Sequence, residues 1–336
     1  MNVFPVTDST LSAVHIANFV KEKYGMEGAV TVRILKTGIN HTYLVSDARG
    51  KYTFRVYSFN WRTEKEIAEE IRLLGMLKEN SIPISYAIAD ITSVYIQHFQ
   101  APEGLRFGVM FSFAKGDKML NLSVELHHKA GVIMASMHGV TNNLQLERVI
   151  YTPAVLLTNS FEKLEQFLPA GTGEMIYMKS LQKYLHGVFS TVKTGCLREG
   201  IVHLDIWFDN MSIDRAADIT IFDFDFCGNG WLLLDIAYYI LQLYSTEKDE
   251  NEFNLKKESF LKGYESVTAI SSKEKSLLPA AALSLYFFYL GIQCSRYDNW
   301  SNTFLNEIYL KRFINLLVKK WVNFHNLDIT LQTAGS

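Results

Sequence analysis

Apolar positions along the first hundred residues switch repeatedly between two periods. "STLSAVHIANFVKEKYG" spaces its apolar residues as a helix does, with Ser9 or Thr10 as the expected cap and Gly25 at the stop. "AVTVRILK" alternates and is β-branched, so it reads as a strand. Gly38 and Asn40 mark a turn before a second strand, "TYLVS", and "ARGKY" turns into a third, "YTFRVYS". "RTEKEIAEEIRLLGMLKEN" returns to the helical period, with Ile67, Ile71, Leu74 and Leu77 or Lys78 along one side. "SVYIQHF" and "RFGVMFSFA" follow as two strands around a turn at "APEG". This pattern predicts a five-stranded antiparallel sheet with one inserted helix.

Beyond "FAKGDK" the helical period takes over. "SVELHHKAGVIMASMHGV", "SFEKLEQFL" and "EMIYMKSLQKYLHGVFSTVKT" read as helices, and so does nearly everything after Trp231. The one β-rich interruption spans residues 200–226. The chain is therefore expected to be an α+β, bilobal protein: residues 1–110 a β lobe, 111–116 a hinge, 117–336 a mostly helical lobe, with a cleft between the lobes. No internal repeat or low-complexity tract breaks the pattern. Leu277 to Cys294 carries no charge and is long enough to span a bilayer. It contains Pro279, Ser284, Gly291 and Gln293 and is the only such stretch, so a buried central helix is the expectation, with Pro279 in its first turn.

Composition narrows the classes. A chain of 336 residues with 48% hydrophobic and 20% charged residues can bury two cores. A net charge of -2 lacks the basic excess of a nucleic-acid binder, yet leaves room for a nucleotide whose charge is met by a metal. Three widely spaced cysteines suit neither a disulfide framework nor a zinc site and point to a reducing cytoplasm. "MNVFPVTDST" lacks the basic and apolar regions of a signal peptide, and no membrane span is expected.

The chemistry concentrates in "HLDIWFDN", His203 to Asn210, and "ITIFDFDF" shortly after. Carboxylates beside strand-forming residues are costly to bury unless something positive meets them. Asp205, Asn210 and Asp223 offer hard oxygen donors of the kind Mg²⁺ takes, and a nearby carboxylate can orient a hydroxyl and accept its proton.

The order H-x-D-x-x-x-x-N and then x-D-F-D resembles the catalytic loop and metal aspartate of the aminoglycoside phosphotransferase and choline kinase family, whose relatives include homoserine kinase type II and bacterial stress-response kinases. Lobe order, hinge and helical C-terminus extend the likeness over nearly the whole chain. The resemblance implies a protein-kinase-like fold that transfers the γ-phosphate of ATP or GTP to a hydroxyl. Asp205 would be the base, Asn210 and Asp223 the Mg²⁺ ligands, and His203 a brace for the loop. Leu204 stands where the family usually has glycine, and "DFD" replaces the protein-kinase "DFG".

The resemblance also assigns a nucleotide site. The turn at Gly38 and Asn40 sits where kinases place the phosphate loop, though it has a single glycine. Arg55 occupies the place of the strand lysine, and a guanidinium can hold phosphate oxygens in pairs. Its partner would be Glu70, with Glu66 as the alternative. The base would meet backbone groups at Ser112 and Phe113. Asp235 would hold the catalytic loop, His138 would pack, and Asp225 would either approach a second metal or hold the loop.

Other classes fare worse. No "GxxxxGK[ST]" marks a P-loop, "GNG" is no dinucleotide fingerprint, and nothing suggests a glycosidase carboxylate pair. A pseudokinase that binds nucleotide without turnover is the alternative, given Arg55 and Leu204. The acceptor is expected to be a small-molecule or protein hydroxyl. Acids are sparse in the last hundred residues apart from "EKDENE", a solvated loop by its pattern, which argues against an aminoglycoside pocket. Tyr297 and Trp300 would either cage an alkylammonium or belong to the helical core, the core being favoured.

Overall fold

The computed structural model describes residues 4–193, 195–297 and 304–329. In chain order these form α1 (Ala13–Lys23), β1 (Thr31–Thr37), β2 (His41–Asp47), β3 (Gly50–Val56), α2 (Glu64–Glu79), β4 (Ala87–Ile88), β5 (Ile96–Ala101) and β6 (Gly104–Ser112). Then come α3 (Val124–Thr141), α4 (Asn159–Leu164), α5 (Gly173–Ser190), β7 (Glu199–Val202), β8 (Met211–Ile213), β9 (Ile219–Ile221) and β10 (Gly228–Trp231). The chain continues through α6 (Leu233–Thr246), α7 (Glu250–Glu265), α8 (Ser272–Ser295), α9 (Glu307–Phe313) and α10 (Lys319–Phe324). Two compact units result, one of residues 4–117 with 212–223, the other of residues 118–211, 224–297 and 304–329. Residues 212–223 thus cluster with the N-terminal residues.

In the first unit the sheet is antiparallel and six-stranded, in the order β1-β2-β3-β6-β4 with β5 also on β6. The sixth strand, β4, is two residues long, too short to leave a periodicity. Alternation along β2 and β3 sends Tyr43, Val45, Phe54 and Val56 into a core shared with Ile16 and Val20 of α1. Helix α1 starts later than expected. Ser12, not Ser9 or Thr10, precedes it, and Ser9 instead donates to Glu103 at 2.7 Å. The stop falls as expected, with Gly25 at φ +55° just past Tyr24. A capping box between Thr63 and Glu66 opens α2, whose buried side carries Ile67, Leu73, Leu74, Leu77 and Glu70.

Gly116 lies where residues 112–117 meet β8. Asp117 and Ile213 exchange backbone hydrogen bonds at 3.0 and 2.9 Å, so the two segments are in direct contact. A Cβ at Gly116 would fall 2.1 Å from the Ile213 carbonyl oxygen, and its φ is +105°. Only glycine fits there. On the other side, Ile221 and residues 83–85 are joined by Ser85 N–H to Ile221 C=O and Ile221 N–H to Pro83 C=O, each 2.9 Å.

In the second unit α3 and α7 approach through glycines. A Cβ at Gly131 would lie 2.1 Å from the Phe260 carbonyl oxygen, and one at Gly263 would lie 2.0 Å from that of His128. Helix α8 is the buried helix expected there, with Leu277, Ala281, Leu283, Leu285 and Leu290 all buried. It begins earlier than the pattern suggested, because Ser271 and Glu274 form a capping box. Pro279 is consequently inside the helix, not in its first turn, and its carbonyl accepts from buried Trp321 Nε1 at 3.1 Å. The "EKDENE" run is only partly loop: Asp249 caps α7, whose first turn holds Glu250 and Glu252, and Glu247 pairs with Lys256 at 2.6 Å.

His127, on α3, is 4% exposed and its Nδ1 lies 2.8 Å from Tyr239 Oη. Burial, reinforced by the charge of Lys256 and opposed by Glu247, pushes its pKa down to about 4. The unfolded chain, with a histidine near pKa 6.5, binds the extra proton first. This contribution to stability is therefore complete above about pH 6.5 and is lost as pH falls toward 4. Between pH 7 and pH 5 the loss should be about 2 kcal/mol. Urea unfolding of His127→Gln should show a correspondingly flatter pH dependence than the parent; identical slopes would refute the assignment.

Candidate active site

The loop after β7 is built around an unusual backbone. Leu204 adopts φ +67°, a left-handed conformation that costs a leucine roughly 1–2 kcal/mol. That is the conformation glycine takes freely, which gives a physical reason for the glycine usual at this point in the resembling family. Here the strain is held from below. Asp235, on the first turn of α6 and 1% exposed, accepts the His203 N–H at 2.9 Å and the Leu204 N–H at 2.6 Å. His138 Nε2 lies 3.0 Å from the same carboxylate, and its Nδ1 lies 2.7 Å from Tyr264 Oη. His138 is thus a hydrogen-bonded support as well as a packing residue. His203 braces the loop from within, its Nδ1 accepting the Asp205 N–H at 3.1 Å and its ring lying 4.3 Å from that of Phe224.

Asp205 follows, half-buried, with both carboxylate oxygens engaged. Tyr238 Oη donates to Oδ1 at 2.6 Å. Asn210 Nδ2 donates to Oδ2 at 2.7 Å and to the Asp205 carbonyl at 2.9 Å. Because the amide nitrogen of Asn210 faces Asp205, its oxygen is the end directed elsewhere. A little further on, Lys118 pairs with Asp209 at 2.7 Å. The Phe224–Phe226 turn holds Asp225, 3% exposed, with its carbonyl accepting from Arg148 and that of Phe226 accepting from Tyr151 Oη.

A separate cluster forms in the first unit. Arg55, on β3 and 8% exposed, donates through Nη1 to Glu70 at 3.0 Å and through Nη2 to Asp223 at 2.8 Å. Tyr57 Oη donates to the other Glu70 oxygen at 3.1 Å. Glu70 itself is fully buried, so the guanidinium compensates a charge that would otherwise be expensive. A planar fork can serve two carboxylates at once where a lysine offers a point charge. Glu66 is withdrawn from this role by its capping bond to Thr63. Asp223 has φ +67°, which an aspartate tolerates better than most residues.

The remaining nucleotide candidates are placed as follows. The Gly38 N–H donates to the Asn40 carbonyl at 3.2 Å, closing the β1–β2 turn, and Asn40 Oδ1 accepts the Ser58 N–H at 3.1 Å. At the end of β6, Ser112 uses its N–H on the Tyr86 carbonyl and its C=O on Ser85 Oγ, at 2.9 and 2.6 Å. Its backbone N–H and C=O thus both have partners in the segment before β4, and Phe113 is the next residue along. Tyr297 is 58% exposed, with its ring 5.1 Å from Phe167, so the favoured core reading fails for it. Trp300 lies outside the described residues.

Sequence reasoning missed Tyr238 and Tyr289. Tyr238 sits three residues after Asp235, on the same face of α6, a spacing that was readable. Tyr289 was hidden inside the aromatic run of α8, where its hydroxyl carried no distinguishing pattern.

An antiparallel β unit followed by a helical one, with this loop and this aspartate, defines a protein-kinase-like phosphotransferase. The phosphotransferase enzyme family model matches residues 31–270, and the chain belongs to that family. It is by that membership a phosphotransferase. The homoserine kinase of Methylobacillus glycogenes is 21% identical over 76% of this chain and 77% of its own. A microcompartment-associated aminopropanol kinase superimposes with a TM-score of 0.77 at 20% identity, covering 94% of this chain and 100% of its own. An amicoumacin kinase in complex with AMP-PNP and Ca²⁺ gives 0.76 at 17% identity, covering 96% of each.

Proposed function

We propose that this phosphotransferase moves the γ-phosphate of ATP or GTP to the hydroxyl of a small molecule. The observation that carries the reading is Asp205, a half-buried carboxylate oriented through both oxygens on a loop held by Asp235. Asp205 orients the acceptor hydroxyl and takes its proton as the oxygen attacks the γ-phosphorus in line and the nucleoside diphosphate leaves. Arg55, kept in place by Glu70, holds phosphate oxygens, and the turn at Gly38 and Asn40 lies along the same phosphates. The base is met by backbone at Phe113, since Ser112 is already paired.

Asn210 and Asp223 are the residues that would hold Mg²⁺. An amide oxygen and a carboxylate are hard donors that suit it. When bound, Mg²⁺ neutralises charge on the transferring phosphate. A small-molecule acceptor is supported by the names of the similar kinases, and none of those names points to a protein acceptor. The names pair a hydroxyl with a nearby amine in two cases, so amino alcohols are the first acceptors to try. A cytoplasmic site of action is part of the same proposal.

The test is Mg-ATP and Mg-GTP consumption by the purified chain with 1-amino-2-propanol, ethanolamine, choline and homoserine. Acceptor-stimulated turnover with formation of the phosphorylated acceptor is the expected result. Nucleotide binding without turnover of any acceptor would return the pseudokinase reading, and no nucleotide binding would end the proposal.

A further inference from the structure

Two phenols converge on the residue read above as the base. Tyr238 comes from α6, one turn beyond Asp235, and donates to Asp205 Oδ1 at 2.6 Å. Tyr289 comes from α8. Its Oη donates to the Leu204 carbonyl at 2.7 Å and stands 3.4 Å from the same Oδ1. The two rings pack 5.3 Å apart, and Tyr289 is fixed in turn by the rings of Phe226 and Phe288, at 5.6 and 5.3 Å.

We propose that Tyr238 and Tyr289 are positioning residues for Asp205, setting the plane of its carboxylate so that one oxygen edge stays aimed at the acceptor hydroxyl. The inference rests on the phosphotransfer reading of Asp205. Its physical basis is the softness of the aspartate side chain: the terminal torsion of a free carboxylate is broad and nearly two-fold. A donor on one oxygen alone leaves the group free to swing about that bond. Here Tyr238 holds Oδ1 and Asn210 holds Oδ2, so both ends of the carboxylate are tied. Tyr289 completes the arrangement by tying down the peptide that carries the base, at the left-handed residue that gives the loop its shape.

Both phenols are held protonated, their pKa values raised well above 10 by burial and then by the adjacent Asp205 charge. Each is therefore a donor at any working pH. Simple satisfaction of buried hydroxyls does not explain the arrangement as well. Asp205 is only half-buried and could be hydrated, yet hydroxyls from two separate helices meet at it and at the carbonyl before it.

Tyr238→Phe keeps the ring and removes the donor. Assayed with Mg-ATP and the four acceptors above, it should lower kcat by about 10- to 100-fold while leaving KM for nucleotide and acceptor within about 2-fold, since misplacing a reacting group costs rate more than binding. In an Asp205→Ala background the same change should cause no further fall. Tyr289→Phe should lower kcat by a similar or smaller factor and also lower Tm, because the Leu204 carbonyl loses its partner. An unchanged kcat in Tyr238→Phe, or an equal fall with and without Asp205, would overturn the positioning role while the phosphotransfer reading stood. A parent protein that turned over none of the acceptors would instead count against the reading itself, and the positioning role would go with it.

Discussion

Replacing Asp205 by alanine is expected to reduce acceptor-stimulated phosphoryl transfer by roughly 10²–10⁴-fold, the range in which a positioned general base contributes. Nucleotide binding should persist, because Arg55, Glu70 and the β1–β2 turn belong to a different set of hydrogen bonds. Some stability should be lost as well, roughly 1–3 kcal/mol, because Tyr238 and Asn210 are buried and their donors lose an acceptor. The informative pair of measurements is the transfer rate, followed with γ-labelled nucleotide, and nucleotide-induced thermal stabilisation of the same sample. A variant that keeps its rate would remove Asp205 from the mechanism. A variant that loses rate and nucleotide binding together would show that the residue shapes the site and does not act in the chemical step.

Asp235→Ala should have the larger effect on folding, at about 3–5 kcal/mol of destabilisation. It removes the acceptor of two buried backbone N–H groups and the partner of buried His138. Each buried donor left unmade costs about 1–3 kcal/mol. The same carboxylate holds Leu204 in its left-handed conformation, so its loss also lets the peptide before Asp205 relax. Asp235→Asn should be no mild replacement. Two of the partners are N–H donors, and an amide turned toward them offers only one acceptor. Urea unfolding of the two variants beside the parent checks this, and a loss under about 1 kcal/mol in Asp235→Ala would contradict the account.

The sequence made some contacts legible and hid others for identifiable reasons. Glu70 was the expected partner of Arg55, with Glu66 as the alternative because both lie on α2 one turn apart. The alternative could have been set aside, since Thr63-x-x-Glu66 is a capping box and commits Glu66 to the helix end. The start of α8 was misplaced for the same kind of reason. Ser271 and Glu274 cap it, and Pro279, taken as a first-turn residue, is carried inside. Strand β4 escaped notice because two residues have no period. Tyr297, for which the core was the favoured of two places, is on the surface, since aromatic composition alone does not say which side of a helix end is covered.

What the sequence determined by itself was the order of β and helical elements and the family-specific spacing of Asp205, Asn210 and Asp223. Both follow from local physics: hydrophobic periodicity sets element type, and chemistry carried on a short loop must keep its spacing along the chain. Only the tertiary structure decided which partners hold those residues. Asp223 meets Arg55 across 168 positions of sequence, and Asp205 meets Tyr238 and Tyr289 across 33 and 84. Such contacts leave no periodic trace. They arise when packing brings distant donors to one carboxylate, and the cost of burying that charge unpaired selects them.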